Sequence, residues 1–254
     1  RDPLRRASDR LTRASAHGAG TQWAFVTSPA RERVLEGGNQ SGKTWSSCID
    51  FLLQARGIHP KRTWGPQRAG DTWRGWYSTT TFERFAEQAW GHWKALLLEP
   101  GESVHKLPTK RIAAIGWDNK NPERPTYLKL YRQGGQLAEI WVKSYEQGAA
   151  EFQSAEVDAL CLDEECPGDI YEECQPRVMK RAGAIQISAT PVRGVKWLEE
   201  LRAKAEGADP GALTHHRLDT RDNPGMPAEQ VRLLEEKWAI RTELLDLRLR
   251  GLPV

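Results

Sequence analysis

Gly37-Gly38-Asn39-Gln40-Ser41-Gly42-Lys43-Thr44 decides the fold. The octapeptide satisfies G-x-x-x-x-G-K-[ST] at every fixed position. Val34-Leu35-Glu36 precedes it, and an apolar helical pattern from Thr44 to Leu53 follows, so it joins a strand to a helix. Its glycines let the backbone curl until successive N–H groups face one anion. The positive end of the following helix is aimed at the same point. Lys43 is long enough to reach β- and γ-phosphates, and the Thr44 hydroxyl suits Mg²⁺. Gly37 to Thr44 are therefore the candidate phosphate-binding residues of a nucleotide site, with Thr44 a candidate metal ligand.

Working outward, Val157-Asp158-Ala159-Leu160-Cys161-Leu162-Asp163-Glu164-Glu165 reads as a buried strand ending in three carboxylates. Strand ends of this kind lie at the carboxyl edge of an α/β sheet, where ligands bind. Asp163 is the candidate to hold the metal through its waters. Glu164 is the candidate to orient and deprotonate an attacking water, with Glu165 its competitor. A glutamate beside the metal-holding aspartate marks nucleotide hydrolysis and argues against a small-molecule kinase. Ala184 to Ala189 forms another short strand, closed by Ser188-Ala189-Thr190-Pro191, whose hydroxyls can reach a γ-phosphate or the water.

The remaining pattern fits the same architecture. Thr80 and Glu83 read as a capping box opening a helix that carries Phe82, Phe85, Ala89, Trp93 and Leu96 to about Leu98, where Pro100-Gly101 stops it. Thr126–Tyr131 and Leu137–Val142 flank Gln133-Gly134-Gly135-Gln136 as a hairpin. Residues 57 to 76, broken by Gly57, Pro60, Gly65, Pro66, Gly70 and Gly75, read as irregular. Pro227 opens a final helix with Val231, Leu234, Trp238 and Leu245 near one face. Strands alternating with helices imply an α/β fold with a largely parallel sheet. The expected division is a core over residues 1–215, with a basic N-terminal arm (Arg5, Arg6, Arg10, Arg13), and a helical lid or linker over 216–254.

Composition bounds the function. The chain has 254 residues, 39% of them hydrophobic, with 37 Lys and Arg against 34 Asp and Glu, a net charge of +3. That supports a packed core and excludes global disorder. No apolar run approaches the roughly 18 residues of a membrane-spanning helix, and no apolar segment follows the basic start as a secretory signal requires. Four cysteines do not make a disulfide scaffold. Cys161, Cys166, Cys174, His215 and His216 fit no zinc template. Eleven tryptophans are many. Lys61-Arg62-Thr63-Trp64, Arg68 and Trp73-Arg74-Gly75-Trp76 interleave cations with aromatics, as aromatic core edged by arginine or as a nucleic-acid track. Trp90 and Trp93 follow the helical apolar pattern and read as core.

Together these segments resemble the large terminase subunit of tailed bacteriophages, in its N-terminal ATPase domain. Gln22-Trp23 with Arg31-Glu32-Arg33 running into Gly37–Thr44 is similar to the family's adenine-contacting segment and Walker A loop. Ser144-Tyr145-Glu146-Gln147-Gly148 with Phe152-Gln153 resembles the stretch ahead of Walker B. Leu162-Asp163-Glu164-Glu165-Cys166-Pro167, followed by Ile170-Tyr171-Glu172 and Arg177, resembles the Walker B region. Ser188-Ala189-Thr190-Pro191 with Gly194 is similar to the coupling motif, and Asp222-Asn223-Pro224 to the segment leading towards the second domain.

The resemblance implies a P-loop NTPase fold of RecA/ASCE type with a small C-terminal helical lid. It implies an ATP- and Mg²⁺-dependent motor in the host cytoplasm, moving double-stranded DNA into a procapsid without entering the mature virion. The partners it implies are the portal protein, the small terminase subunit and other copies of the chain in a ring, with the domain alone monomeric or weakly associated. Gln22, Trp23, Ser188, Ala189 and Thr190 join the candidate nucleotide site on this basis. A C-terminal nuclease domain is also implied, and the sequence stops where it would begin, so these residues are read as a fragment without nuclease activity. Some members place a catalytic arginine just before Walker B; here Phe152-Gln153-Ser154 has none, and Arg177 or Arg193 is nominated as the finger given to a neighbouring subunit.

Three other readings are weaker. A superfamily 2 helicase or translocase shares Asp163-Glu164 and Ser188-Ala189-Thr190 but needs a second RecA-like domain, and only 64 residues (254 − 190) follow Thr190. A GTPase needs Asn-Lys-x-Asp, and Asn119-Lys120-Asn121-Pro122 fails at its last position. A scaffold with a vestigial loop would not need Lys43, Thr44, Asp163 and Glu164 intact.

Overall fold

The computed structural model describes residues 2–15, 20–62, 71–153, 155–192, 194–223 and 225–252. Among them, eight strands form one sheet in the order β3-β4-β5-β2-β6-β7-β1-β8. The parallel part comprises β5 (Leu137–Ser144), β2 (Trp73–Thr79), β6 (Ala159–Asp163), β7 (Ala184–Ala189), β1 (Glu32–Gly37) and β8 (Leu213–Leu218). β3 (Ile112–Asp118) and β4 (Asn121–Tyr131) extend the β5 edge in antiparallel pairing. The sheet is largely parallel as expected, and the 126–131/137–142 hairpin is there with both strands longer than read.

β6 shows how the layers arise. Its residues alternate between faces: Ala159 and Cys161 join one core cluster, Leu160 and Leu162 the other. The first cluster is covered by α1 (Pro3–Ser15), α2 (Gly20–Thr27), α3 (Lys43–Ala55) and α5 (Trp90–Leu97). The second is covered by α6 (Gly168–Met179) and α7 (Lys196–Ala205). Trp73 and Trp76 lie in opposite clusters, each essentially fully buried, and Trp90 and Trp93 are both buried in the first.

Several expectations are corrected. Residues 73–76 are not irregular but begin β2, a strand inside the sheet; because both faces are buried, the run shows no alternation to read. Trp73 and Trp76 are thus core rather than a nucleic-acid track, and Thr63 to Gly70, with Trp64 and Arg68, lie outside the described residues. The cap of the next helix is Thr81, not Thr80: the Thr81 hydroxyl accepts from the Arg84 N–H, and α4 (Phe82–Arg84) continues through a wide π-type turn over Phe85–Ala89 into α5. The final helix breaks at Trp238. α8 (Ala228–Trp238) is followed by α9 (Thr242–Leu245) and a π-type turn at Asp246–Arg250, so Leu245 belongs to a second element. The basic arm forms α1, which docks through buried Leu4 and Ala7, with Asp2 paired to Arg111 at 3.0 Å; nothing of the Arg13 side chain is described. The 215/216 boundary falls within β8, whose residues on both sides of it pair with β1. Strands β3 and β8 and helices α2, α6 and α7 were not anticipated.

Charge is buried where β1 meets α3. Arg33 and Asp50 form an ion pair at 2.7 Å with both side chains fully buried. Gln54 Nε2 donates to the other Asp50 oxygen at 2.7 Å, and His59 Nε2 lies 3.2 Å from Asp50 Oδ1. Against the cost of burial, Arg33, Arg62 and His59 hold the Asp50 carboxyl well below the usual carboxylate range. Removing one partner strands the other charge in the core, so Asp50→Asn should lower the unfolding free energy by about 3–5 kcal/mol, read as a lower urea midpoint at unchanged slope.

Candidate functional site

The strand–loop–helix order follows from the sequence. β1 ends at Gly37 and α3 begins at Lys43. Between them Gln40 (φ 60°) and Gly42 (φ 91°) take left-handed backbone, which glycine adopts freely and glutamine at a cost. Lys43 is buried, and its ammonium donates to the carbonyls of Gly37 at 3.0 Å and Gly38 at 2.8 Å. Burial lowers its pKa, while the nearby Glu164 and Asp163 charges oppose the shift. Gln22, carried on α2 and buried, donates from Nε2 to the Ser41 carbonyl at 3.0 Å and so fixes the middle of the loop.

At the end of β6, Asp163 is buried and accepts from the Tyr77 hydroxyl at 3.0 Å and from the Ser188 hydroxyl on the neighbouring strand. Burial and the adjacent Glu164 push its carboxyl up to about 6. The Tyr145 hydroxyl lies 3.0 Å from the Asp163 carbonyl and 3.2 Å from that of Ser78, pinning the same strand end. Glu164 is turned out of the strand: its φ is 73° and its N–H donates to the Ser188 carbonyl at 2.7 Å. This non-glycine residue in left-handed backbone costs of order 1 kcal/mol or more and sits where strain is characteristically kept, at a ligand-facing position.

The loop and Glu164 open on a cleft of about 1450 Å³, whereas Asp163, Ser188, Gly37 and Gly38 are not among the residues that line it. The loop residues Asn39 to Thr44 line it together with Gln22, Glu164, Glu165 and Thr190. Thr44 and Asp163 offer a hydroxyl and a carboxylate, the hard oxygen set that Mg²⁺ takes. Both Asp163 oxygens already accept hydrogen bonds, which suits a metal held through water.

Not every sequence candidate arrives there. Trp23 packs against the first core cluster and does not line the cleft. Ala189 is buried in the second cluster at the end of β7. Arg177 lies at the opposite edge of the sheet, where its carbonyl accepts from the N–H of Val157, before β6 begins; its guanidinium pairs with Glu173 at 2.6 Å. The chain therefore does not bring Arg177 to its own cleft. Arg193, Ser154 and Pro224 lie outside the described residues. Cys161 is packing, and no metal-holding cluster of His, Cys, Asp and Glu occurs among the described residues.

Sequence reasoning missed the clamp on the loop's first half. Gly38 N–H donates to the Leu218 carbonyl at 3.3 Å and Asn39 N–H to the Arg248 carbonyl at 2.6 Å. Thr220 Oγ1 donates to the Asn39 carbonyl at 2.7 Å and Asn223 Nδ2 to that of Gln40 at 2.6 Å. Arg248, with Arg10 and Arg84, also lines the cleft. Tyr77 was hidden with the rest of β2, although its place two residues before the strand end could have flagged it.

Comparison with known proteins agrees with this geometry. The family model "Terminase large subunit, T4likevirus-type, N-terminal" matches residues 34–229. Among curated proteins none matches the sequence at a significant level. Among solved structures, the fold is similar to the large terminase ATPase domain of Thermus phage P74-26, at 18% identity over 92% of this chain and 93% of that one, with a TM-score of 0.65. It is similar to the large terminase of a second, thermophilic bacteriophage, at 13% identity, 92% and 53% coverage, and a TM-score of 0.69. That protein has been solved with ADP and with ATP-γ-S. The HK97 large terminase matches at 13% identity, 91% and 50% coverage, and a TM-score of 0.60. The chain thus spans about half the length of these two terminases.

The raised Asp163 pKa makes a stability prediction. A carboxyl whose folded value lies above its ordinary 3.8 is penalised as pH rises through the two values, fully so above about 6. Asp163→Asn should stabilise the nucleotide- and metal-free protein at pH 8 by about 3 kcal/mol, seen as a higher melting temperature, and leave it near wild type at pH 4. Thermal melts at the two pH values check this.

Proposed function

The chain belongs to the large terminase family, as the N-terminal part of the subunit, and from that premise we propose that it binds ATP in the cleft and hydrolyses it to drive double-stranded DNA into a procapsid. The observation that carries this reading is the placement of Glu164. Its strained backbone turns it out of β6 into the cleft that the phosphate loop lines, while Asp163 stays behind in the strand on two hydroxyl donors.

In this reading the loop N–H groups and Lys43 bind the phosphates. Thr44 and, through water, Asp163 hold Mg²⁺, which neutralises charge on the terminal phosphates. Glu164 orients the attacking water and takes its proton. Ser188 hydrogen-bonds Asp163 and its carbonyl holds the Glu164 N–H, so a change at the γ-phosphate is felt along β7 through Thr190. Gln22 senses the loop from α2. The motor acts in the host cytoplasm as a ring of copies on the portal protein, with the small terminase subunit recognising DNA. Arg177 faces away from its own cleft, a position compatible with serving a neighbouring subunit, and Arg193 is the alternative donor. No nuclease step is assigned to these residues.

Two tests follow. Glu164→Gln should keep ATP binding and lower turnover by about 10²- to 10⁴-fold, Glu165→Gln should be milder, and Lys43→Ala should lose ATP affinity; steady-state ATPase assays and calorimetry read all three, and the reverse order of the glutamates reassigns the base. If a neighbour supplies the arginine, turnover per chain should rise with protein concentration, since such an arginine contributes about 10³- to 10⁵-fold. A fast rate independent of concentration in a sample monomeric by light scattering refutes the ring contact.

A further inference from the structure

The clamp on the phosphate loop carries a cation of its own. The π-type turn Asp246–Arg250 and Gly251 lie directly on the loop: a Cβ on Gly38 would sit 2.3 Å from the carbonyl oxygens of Arg248 and Leu249, and a Cβ on Gly251 2.3 Å from the Gly37 Cα. Leu247 and Leu249 are buried on either side of Arg248, and the Arg248 carbonyl is held by the Asn39 N–H at 2.6 Å. The Arg248 backbone is therefore fixed at three points while its side chain borders the cleft.

The neighbouring arginines are engaged: Arg250 pairs with Asp246 at 2.7 Å, and Arg221 with Asp219. Arg248 has no carboxylate partner among the described residues. Of the other cations lining the cleft, Arg84 is more than half exposed and pairs with Glu87 at 4.0 Å, and Arg10 is exposed on α1. Arg248 alone among these arginines is anchored to the loop through its own backbone. The anchor also places it. Lys43 donates to the Gly38 carbonyl, the residue on which the Arg248 carbonyl rests, and Lys43 is the group that serves β- and γ-phosphates. Both cations border the cleft, and the Arg248 backbone rests on the glycine whose carbonyl the Lys43 ammonium holds.

We infer that Arg248 binds the terminal phosphates of the nucleotide held by its own chain, as a second cation beside Lys43. This rests on the phosphate-loop reading above. Guanidinium suits the task because it stays charged and offers a fork of donors to phosphate oxygens. The C-terminal turn is then part of the nucleotide site, and its seat on Gly38 and Asn39 is what positions the arginine.

The test separates anchor from cation. Arg248→Ala keeps the backbone anchor and the two leucines, so the melting temperature without nucleotide should stay at the wild-type value. Its affinity for ATP should fall about 10- to 100-fold, the range of a charged hydrogen bond, with partial recovery in Arg248→Lys. Inorganic tripolyphosphate, competing against labelled ATP, should lose affinity by the same factor, because it carries the phosphates without the base. Gly251→Ala, which keeps the arginine but levers the turn off Gly37, should reproduce the loss. Unchanged ATP affinity in Arg248→Ala or in Gly251→Ala overturns the proposal, as does a loss for ATP not matched by tripolyphosphate, which would put the contact on base or ribose. Wild-type ATP affinity in Lys43→Ala overturns the phosphate-loop reading itself, and this proposal with it.

Discussion

The Arg33–Asp50 ion pair fixes the two elements that the phosphate loop joins. Arg33 stands on β1 four residues before Gly37, and Asp50 on α3 seven residues after Lys43, with both charges fully buried. A buried pair is weak evidence for net stability, because desolvation offsets much of the attraction. Its consequence here is geometric. Sliding β1 along α3 would leave a charge in the core without a partner, at several kcal/mol. Gln54 bonds Asp50 Oδ2 and His59 lies on Oδ1, and Phe25 on α2 lies under the Arg33 guanidinium at 5.1 Å. The helix that carries Gln22 to the loop is therefore tied to the same anchor.

A second constraint acts at the strand end. Asp163 and Lys43 are both buried, each shifted by burial towards its neutral form and each held towards its charged form by the other. Glu164 helps Lys43 and penalises Asp163. The cleft thus sets acids suited to a cation beside a cation and backbone N–H groups suited to an anion. Tyr77, Tyr145 and Ser188 hold this arrangement in place by hydrogen bonding to the β6 end. Stability given up here is the usual companion of a preorganised site.

What the sequence disclosed was what local chemistry writes into it. The phosphate loop needs glycines, a lysine and a threonine at fixed spacing, so Gly37–Thr44 was legible, and so were the acids after Leu162 and the hydroxyls closing β7. β2 was not, because a strand buried on both faces loses its period of two, and Trp73-Arg74-Gly75 imitates a turn-rich surface. β8 hid behind Thr214-His215-His216-Arg217, four polar residues on an edge strand; His215 is there to share the buried Glu36 carboxylate with Arg202. The backbone half of the clamp was illegible for a deeper reason. Leu218 and Arg248 meet the loop through carbonyl oxygens, and a backbone acceptor has no residue type to betray it.

That clamp divides the loop between two parts of the chain. Its later residues, Gly42 to Thr44, open α3 and belong to the central sheet layer. Its earlier residues, Gly38 to Gln40, are hydrogen-bonded to Leu218, Thr220, Asn223 and Arg248. A phosphate chain that rearranges Gly38, Asn39 or Gln40 must strain or improve those bonds, and the segment from Thr220 to Gly251 then has a different energy in the two nucleotide states. The coupling is reciprocal by thermodynamic necessity: whatever pulls on α8 and α9 changes nucleotide affinity by the same factor. None of the α8 residues is fully buried, and Leu233 is 44% exposed. Residues 218–251 meet the earlier half of the loop through the Leu218 and Arg248 carbonyls at Gly38 and Asn39, and through the Thr220 and Asn223 side chains at Asn39 and Gln40.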